Sequence, residues 1–349
     1  CTQNLPDATV IPSEHFNTVL YTGNGATRSI TGVGFQPDFT WIKGRSVASN
    51  HHLVDSVRGA TISLRSNATN AELTSSTGDV RSFDSDGFSL GASQNNDTNT
   101  NAYTLAAWNW KAGGSAVSNT NGSITSSVSA NAAAGFSIIS YTGTGALATV
   151  GHGLSIKPQA LIIKNRADGD SSSHWLNYFE SETASKRLML NSTSASESHS
   201  VHFNNTEPTS SVFTINTSNA GNGASDTLIA YAFHSVDGYS KVGSYTGNGS
   251  ADGTFVHCGF RPAYVMIKCT DSAQSWIIKD TSRFTYNVNK GYLLADTSAA
   301  EVADHSATYV DIVANGFKLR GSANSTNASG GTYIFLAFAE MPFKHSNAR

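Results

Sequence analysis

Charge is what this sequence has least of. Asp, Glu, Lys and Arg make up 13% of 349 residues and leave a net charge of -3, with the basic residues scattered singly. No stripe of Lys and Arg is available to follow a nucleic-acid backbone or an anionic membrane surface, so both partner classes are excluded. Cysteine is scarcer still: Cys1, Cys258 and Cys269 are too few for a disulfide framework. Cys258 and Cys269 flank CGFRPAYVMIKC, which reads as one strand. At about 3.3 Å per residue a straight strand holds them beyond bridging distance, and only a bend at Pro262 would close the gap. No apolar run approaches the roughly 18 to 20 residues of a membrane span, and CTQNLPDATV has neither the basic nor the apolar region of a secretory leader. The chain reads as soluble, and its start at Cys1 as that of a processed product or a fragment of something longer.

What fills the polar positions instead is Ser, Thr, Asn and Gly, residues that favour turns and strands over helix interiors. Runs of four to eight residues rich in Val, Ile, Thr, Tyr, Phe and Trp lie between clusters of these turn formers, which is the pattern of an all-β chain. In TLAAWNW and FLAFAE one set of alternate residues is aromatic and the other small, so two faces can pack.

The same word is written three times: YTGNG at Tyr21, YTGTG at Tyr141 and YTGNG at Tyr245. A proline follows at Pro37, Pro158 and Pro262, and a lysine six residues later at Lys43, Lys164 and Lys268. Downstream, HHLVDSVRG, HWLNYFES and SWIIKDTSR correspond, then GFSLG, VFTIN and GFKLR, and each copy closes on TLAAWNWK, TLIAYAFH or TYIFLAFAE. Three tandem antiparallel β-sandwich, jelly-roll-like repeats of about 100 residues are therefore expected. They span 16–111, 136–241 and 242–349, after an N-terminal segment 1–15. The stretch 112–135, AGGSAVSNTNGSITSSVSANAAAG, reads as a flexible or loosely laid linker. Glycines in YTGNG serve a hairpin turn; a phosphate cradle would need a following helix with Lys and Ser or Thr. Each Pro is expected to open a strand where no ladder donor is required, and each Lys to reach solvent or an acceptor at the strand end. Whether the copies lie in a row or around a pseudo-threefold axis is not fixed by sequence.

Catalytic and metal motifs are missing. His51, His52, His174, His199, His202 and His305 sit in different contexts without HExxH or CxxC, so no metal and no cofactor is expected. Asp84, Asp86 and Gly87 in FDSDGFSL resemble part of a calcium loop without its closing Glu, and read as a turn. Glu180, Glu182, Asp280 and Asp296 are the carboxylates a glycosidase pair would draw on, but no constellation supports catalysis, and a non-enzymatic chain is expected. Trp41, Trp175 and Trp276 read as core rather than as sugar platforms. The segments that differ between copies are the expected contact loops. They are 93–101, with Asn95, Asn96 and Asp97; 166–174, with Asp168, Asp170 and His174 and the adjoining Trp175; and 204–211, with Asn204 and Asn205.

YTGNG, GFxPDFxWIKGR, DSVRG, SFDSDGFSLG, AWxWKAGG, FSIISYTGTG, VGHGLxxKP, SKVGSYTGNG, GFRPAYVMIK and GGTYIFLAFAEMPFK together resemble a triplicated domain of structural proteins in marine tailed phages, from about Phe16 to Arg349. The resemblance implies a virion surface protein: a tail fibre or tail-associated adhesin that contributes to host attachment. Its alternatives are a purely architectural capsid decoration or fibre shaft, and behind these a polysaccharide-cleaving tailspike. Other virion proteins and a host-surface glycan are the partners this reading expects. No membrane insertion goes with it, and a homotrimer stays open.

Overall fold

The computed structural model describes residues 10–74, 79–92 and 98–340. In its first third, β1 (Phe16–Thr22), β2 (Arg28–Thr31), β3 (Phe39–Gly44), β4 (His51–Asp55), β5 (Ile62–Leu64), β6 (Leu73–Thr74), β7 (Val80–Asp84), β8 (Gly87–Leu90) and β9 (Thr104–Trp110) make a large sheet ordered β1-β9-β3-β4-β5-β6 and a small one ordered β2-β8-β7. Next come β10 (Val117–Asn119), β11 (Ser126–Asn131), β12 (Phe136–Thr142), β13 (Ala148–Gly151), β14 (Ala160–Asn165), β15 (Leu176–Phe179), β16 (Lys186–Met189), β17 (Glu197–Ser198), β18 (Val212–Ile215) and β19 (Thr227–Phe233). These form an eight-stranded sheet, β10-β11-β12-β19-β14-β15-β16-β17, and the pair β13-β18. The last third holds β20 (Ser240–Thr246), β21 (Phe255–His257), β22 (Pro262–Cys269), β23 (Ile277–Asp280), β24 (Leu293–Leu294), β25 (Val310–Val313), β26 (Gly316–Leu319) and β27 (Thr332–Ala339), in sheets β20-β27-β22-β23-β24 and β21-β26-β25. The chain is all-β with antiparallel sheets, and no described helix is long and apolar enough to cross a membrane.

Strand alternation sends one face of each large sheet to its small partner. Tyr21, Ile42, Val54, Leu105 and Ala107 meet Ile30, Val80, Phe88 and Leu90 in the first sandwich, and separate clusters do the same in the other two. The other face of all three large sheets meets in a single cluster that includes Phe39, Trp108, Trp110, Phe136, Tyr231, Phe233, Tyr264, Met266 and Phe338. The units therefore stand around a common apolar axis instead of in a row. Phe39 stacks on Tyr231 at 4.4 Å and Phe16 on Phe338 at 5.0 Å. At the centre a void of ≈ 10 Å³ remains, which is room for about one water in a wholly apolar setting.

Hydrogen bonds close the ring in one rotational sense. The segment after β5 reaches the second unit, where Glu72 N donates to Arg166 O at 2.9 Å; Ser196 N does the same to Thr270 O at 2.8 Å, and Glu301 N to Arg45 O at 2.8 Å. Beneath these, the indole of Trp175 donates to Arg65 O at 2.8 Å, that of Trp276 to Met189 O at 3.0 Å, and His51 Nε2 to Leu294 O at 2.9 Å. Trp41 donates its indole N–H to His51 Nδ1, which leaves the His51 proton on Nε2 for that contact. Two seams carry a buried ion pair as well. Arg58 holds Asp55 at 2.6 Å beside the Tyr231 hydroxyl, and Arg283 holds Asp280 at 2.5 Å beside the Trp108 indole. In the second sheet the register puts Phe179 where the others have Asp55 and Asp280, and that seam closes with apolar groups.

The repeated word has a shared device under it. Asn99, Asn222 and Asn327 are fully buried, and each side chain accepts from the turn N–H of Asn24 (3.2 Å), Thr144 (2.7 Å) or Asn248 (3.0 Å). The same amides donate back to the carbonyls of Ala26, Ala146 and Ser250. Tyr21, Tyr141 and Tyr245 fix the strand by donating to Thr98 O, Gly221 O and Thr326 O, each at 2.7 Å. At Gly143 a Cβ would meet Gly223 O at 2.2 Å, so this position of the word must be glycine.

Two expectations change and one is narrowed. The stretch 112–135 is no loose linker: β10 and β11 lie on the edge of β12 with Ser126 and Ser129 buried, because its small side chains fit the seam between the first and second units. Of the two fates expected for Lys43, Lys164 and Lys268, the acceptor at the strand end is the one found: all three are fully buried and donate to backbone carbonyls such as Gly44 O, Asn165 O and Thr193 O. Burial pulls the Lys164 and Lys268 amines down to about 8. Of the prolines, Pro262 starts its strand, whereas Pro37 and Pro158 lie two residues ahead of theirs. Cys258 and Cys269 are buried free thiols.

Candidate functional site

Among the described residues the second unit differs from its neighbours by two short helices, α1 (Ser200–Phe203) and α2 (Asn219–Asn222). Between them and the loop 166–174 lies a groove of ≈ 460 Å³, lined by Ser171, Ser172, His174, Arg187, His199, Val201, His202, Thr217, Ser218 and Asn219. The 166–174 loop and α2 are anchored on the sheet beside it. Lys164 and Asn165 at the end of β14 turn inward, where Asn165 Nδ2 donates to Asn219 O at 3.0 Å and to Asp226 at 2.7 Å, while its Oδ1 accepts from the N–H groups of Ala167 and Asp168. One asparagine thus ties the 166–174 loop to α2. Asp170 then folds the tip, accepting from the Ser172 N–H and hydroxyl, both at 2.7 Å, and these bonds hold its carboxyl below the usual carboxylate range.

The opposite wall is set by β16 and α1. Arg187 donates to Glu197 at 2.8 Å and to His202 Nε2 at 2.9 Å, so the cation is balanced within the wall. Accepting at Nε2 puts the neutral His202 proton on Nδ1. Burial, then Arg187 and His199, bring its pKa down to about 3, so the ring is uncharged at neutral pH. His199 lies over it, ring centres 4.8 Å apart. On the near wall, His174 Nδ1 accepts from Asn191 at 2.9 Å, which leaves Nε2 as its donor. The groove therefore presents hydroxyl, amide and imidazole groups, with the Arg187 cation paired to Glu197. It suits an uncharged polyhydroxylated ligand better than an ion.

Asp168, Asp170 and His174 share the 166–174 loop, and of these His174 lines the groove. Asn204 and Asn205, with φ of 52° each, form the left-handed end of α1 and point the chain away from that lining. Trp175 is corrected from a contact residue to core: it is 0% exposed, at the seam with the first unit, where its ring fills apolar space and its N–H finds Arg65. Asn95, Asn96 and Asp97 lie outside the described residues. Arg187, Ser218 and Asn219 escaped the sequence reading, since nothing in RLML or TSNA marks them. The His199 and His202 spacing of three was the legible trace of α1.

The carboxylates considered for a glycosidase are engaged separately. Asp280 sits in its buried pair, Asp296 accepts from Trp276 N at 2.9 Å with its pKa raised by burial, Glu180 pairs with Lys157 and Glu182 with Lys186. Asp86 accepts from Gly34 N at 2.6 Å and Gly32 N at 3.1 Å, capping a loop. Among the described residues no group of three His, Cys, Asp or Glu is placed to hold a metal ion.

No curated protein and no solved structure matches the chain. Residues 11–342 match the family described as a domain of unknown function, DUF7483, and with that span the chain belongs to it.

Proposed function

We propose that this protein is a non-enzymatic phage virion surface protein of the tail-fibre or tail-associated kind, contributing to attachment by holding a host-surface glycan in the groove of its second unit. The observation that carries the reading is the groove itself: a polar surface of ≈ 460 Å³ walled by the 166–174 loop and by two short helices of the second unit. The closed ring beneath supplies a rigid base, which lowers the ordering cost of binding. The resemblance of the repeated words to phage structural proteins points the same way.

Two measurements test it. Host-surface polysaccharide is titrated against the wild type and a Ser172→Ala, His199→Ala double variant, with an expected loss of at least about tenfold in affinity, the effect of roughly 1.4 kcal/mol. Equal binding by both proteins sinks the groove. Gold-labelled antibody on virions is expected at the tail extremity; label spread over the capsid would make the protein a decoration instead.

A further inference from the structure

The strands that end on Asp55, Phe179 and Asp280 hold the same place in the three large sheets, and each is followed by a connection to the next strand. In the first two units that connection is residues 56–61 and 180–185, six each; in the third it is 281–292, which is twelve. Its start is shared with the first unit, since Arg283 N donates to Asp280 as Arg58 N does to Asp55, both at 2.8 Å. The added length lies beyond Arg283 and makes a loop without a counterpart in 56–61 or 180–185.

This loop is fixed from two sides. Asn287 reads the edge of β25: its Oδ1 accepts from Ile312 N at 2.9 Å and its Nδ2 donates to Ile312 O at 2.8 Å. Asn289 and Val310 exchange main-chain bonds at 2.8 and 3.3 Å, and Asn289 Nδ2 donates to Asp280 O at 2.9 Å. From beneath, Lys279 Nζ donates to Asn289 O at 3.2 Å and to Gly291 O at 3.0 Å. The register has Val54 and Tyr178 where Lys279 stands, so this position carries an amine only in the unit with the long loop. Lys279 is buried, and burial, with Arg283 beside it, brings the amine down to about 7. Burying such a group costs stability, and what it secures here is a loop of set shape.

The side chain this loop holds out is Tyr286. It is 85% exposed, whereas the other eleven tyrosines are buried or half-buried. Among the described residues its hydroxyl and ring meet no other group. Ser282, Thr285, Asn287 and Lys290 are exposed beside it in sequence, and no second large apolar side chain stands exposed on 281–292. A protein interface draws on a contiguous apolar patch, which is absent from this loop. One flat ring among hydroxyl and amide groups instead matches a pyranose, which lays the C–H groups of one face on an aromatic surface while its hydroxyls reach polar neighbours. We propose that Tyr286 is a stacking platform for a hexopyranose unit of a polysaccharide, a carbohydrate contact on the third unit. It stands whether or not the groove of the second unit binds a glycan. Tyr286 takes the part that Trp41, Trp175 and Trp276, all buried, do not. The pinned loop keeps the ring in place before the ligand arrives, which lowers the ordering cost of contact.

The probe is an array of defined bacterial oligosaccharides, screened with the full chain and with Tyr286→Ala, Tyr286→Phe and the Ser172→Ala, His199→Ala double variant. At least one saccharide is expected to lose about tenfold or more in affinity with Tyr286→Ala, and to keep its affinity with Tyr286→Phe, which retains the ring, and with the double variant. In solution that saccharide should shift the ring protons of Tyr286 and of no other tyrosine. An unchanged melting temperature for Tyr286→Ala is expected of so exposed a side chain and separates lost binding from lost folding. Three results would each overturn the proposal: no saccharide sensitive to Tyr286→Ala, losses as large with Tyr286→Phe, or losses confined to the double variant. Self-association in gel filtration that Tyr286→Ala abolishes would overturn it too, by assigning the ring to a second copy of the chain.

Discussion

Asn222 shows how much of this fold hangs on single buried amides. Its side chain accepts from Thr144 N and donates to Ala146 O at 2.6 Å and to Asn216 O at 2.8 Å, so truncation strands three backbone groups at once. Asn222→Ala is expected to cost about 2–3 kcal/mol in denaturant unfolding, the penalty of leaving buried polar groups unpaired. A loss under about 0.5 kcal/mol, the range of ordinary surface substitutions, would show the turn to be held by its glycines alone. The YTGNG words were legible because turn residues are conspicuous; Asn99, Asn222 and Asn327 were not, because asparagine is common here. Their trace is positional: each stands five residues before the threonine that opens the closing strand.

At the scale of elements, alternation and turn chemistry made the strands readable, and the sandwiches followed from them. The fate of 112–135 did not follow, since Ser, Gly and Ala are what a free linker and a tightly wedged strand have in common. Only the neighbouring seam tells them apart. Ser129 is 1% exposed and belongs to a pair that bonds Ile138, so Ser129→Pro should break the ladder at its middle. An expected cost of about 3 kcal/mol, with rapid proteolysis confined to 112–135, would mark β11 as a bound strand. Stability and cleavage like the wild type's would return it to a linker. The candidate groove was half legible for a similar reason: its 166–174 wall stands in a visibly divergent loop, whereas Arg187 comes from β16, an element shared by all three units.

For the whole molecule, the apolar axis decides behaviour. Each large sheet is covered on both faces only when its neighbours are present, so the units are expected to unfold together in one cooperative transition. A fragment of residues 242–340 leaves Tyr264, Met266, Leu336 and Phe338 uncovered. It should bind hydrophobic dye and associate in gel filtration, and a well-behaved folded monomer would contradict the shared core. The phenylalanine that replaces the aspartate of the other two seams carries a last implication. In a ring of identical chains, a change at one seam is imposed on every seam, and an unpaired arginine would be buried three times over. Fusion into one polypeptide removes that constraint. Phe179 could replace a carboxylate at one joint while Asp55 and Asp280 kept theirs, and the same freedom lets one unit vary its loops without imposing the change on its neighbours.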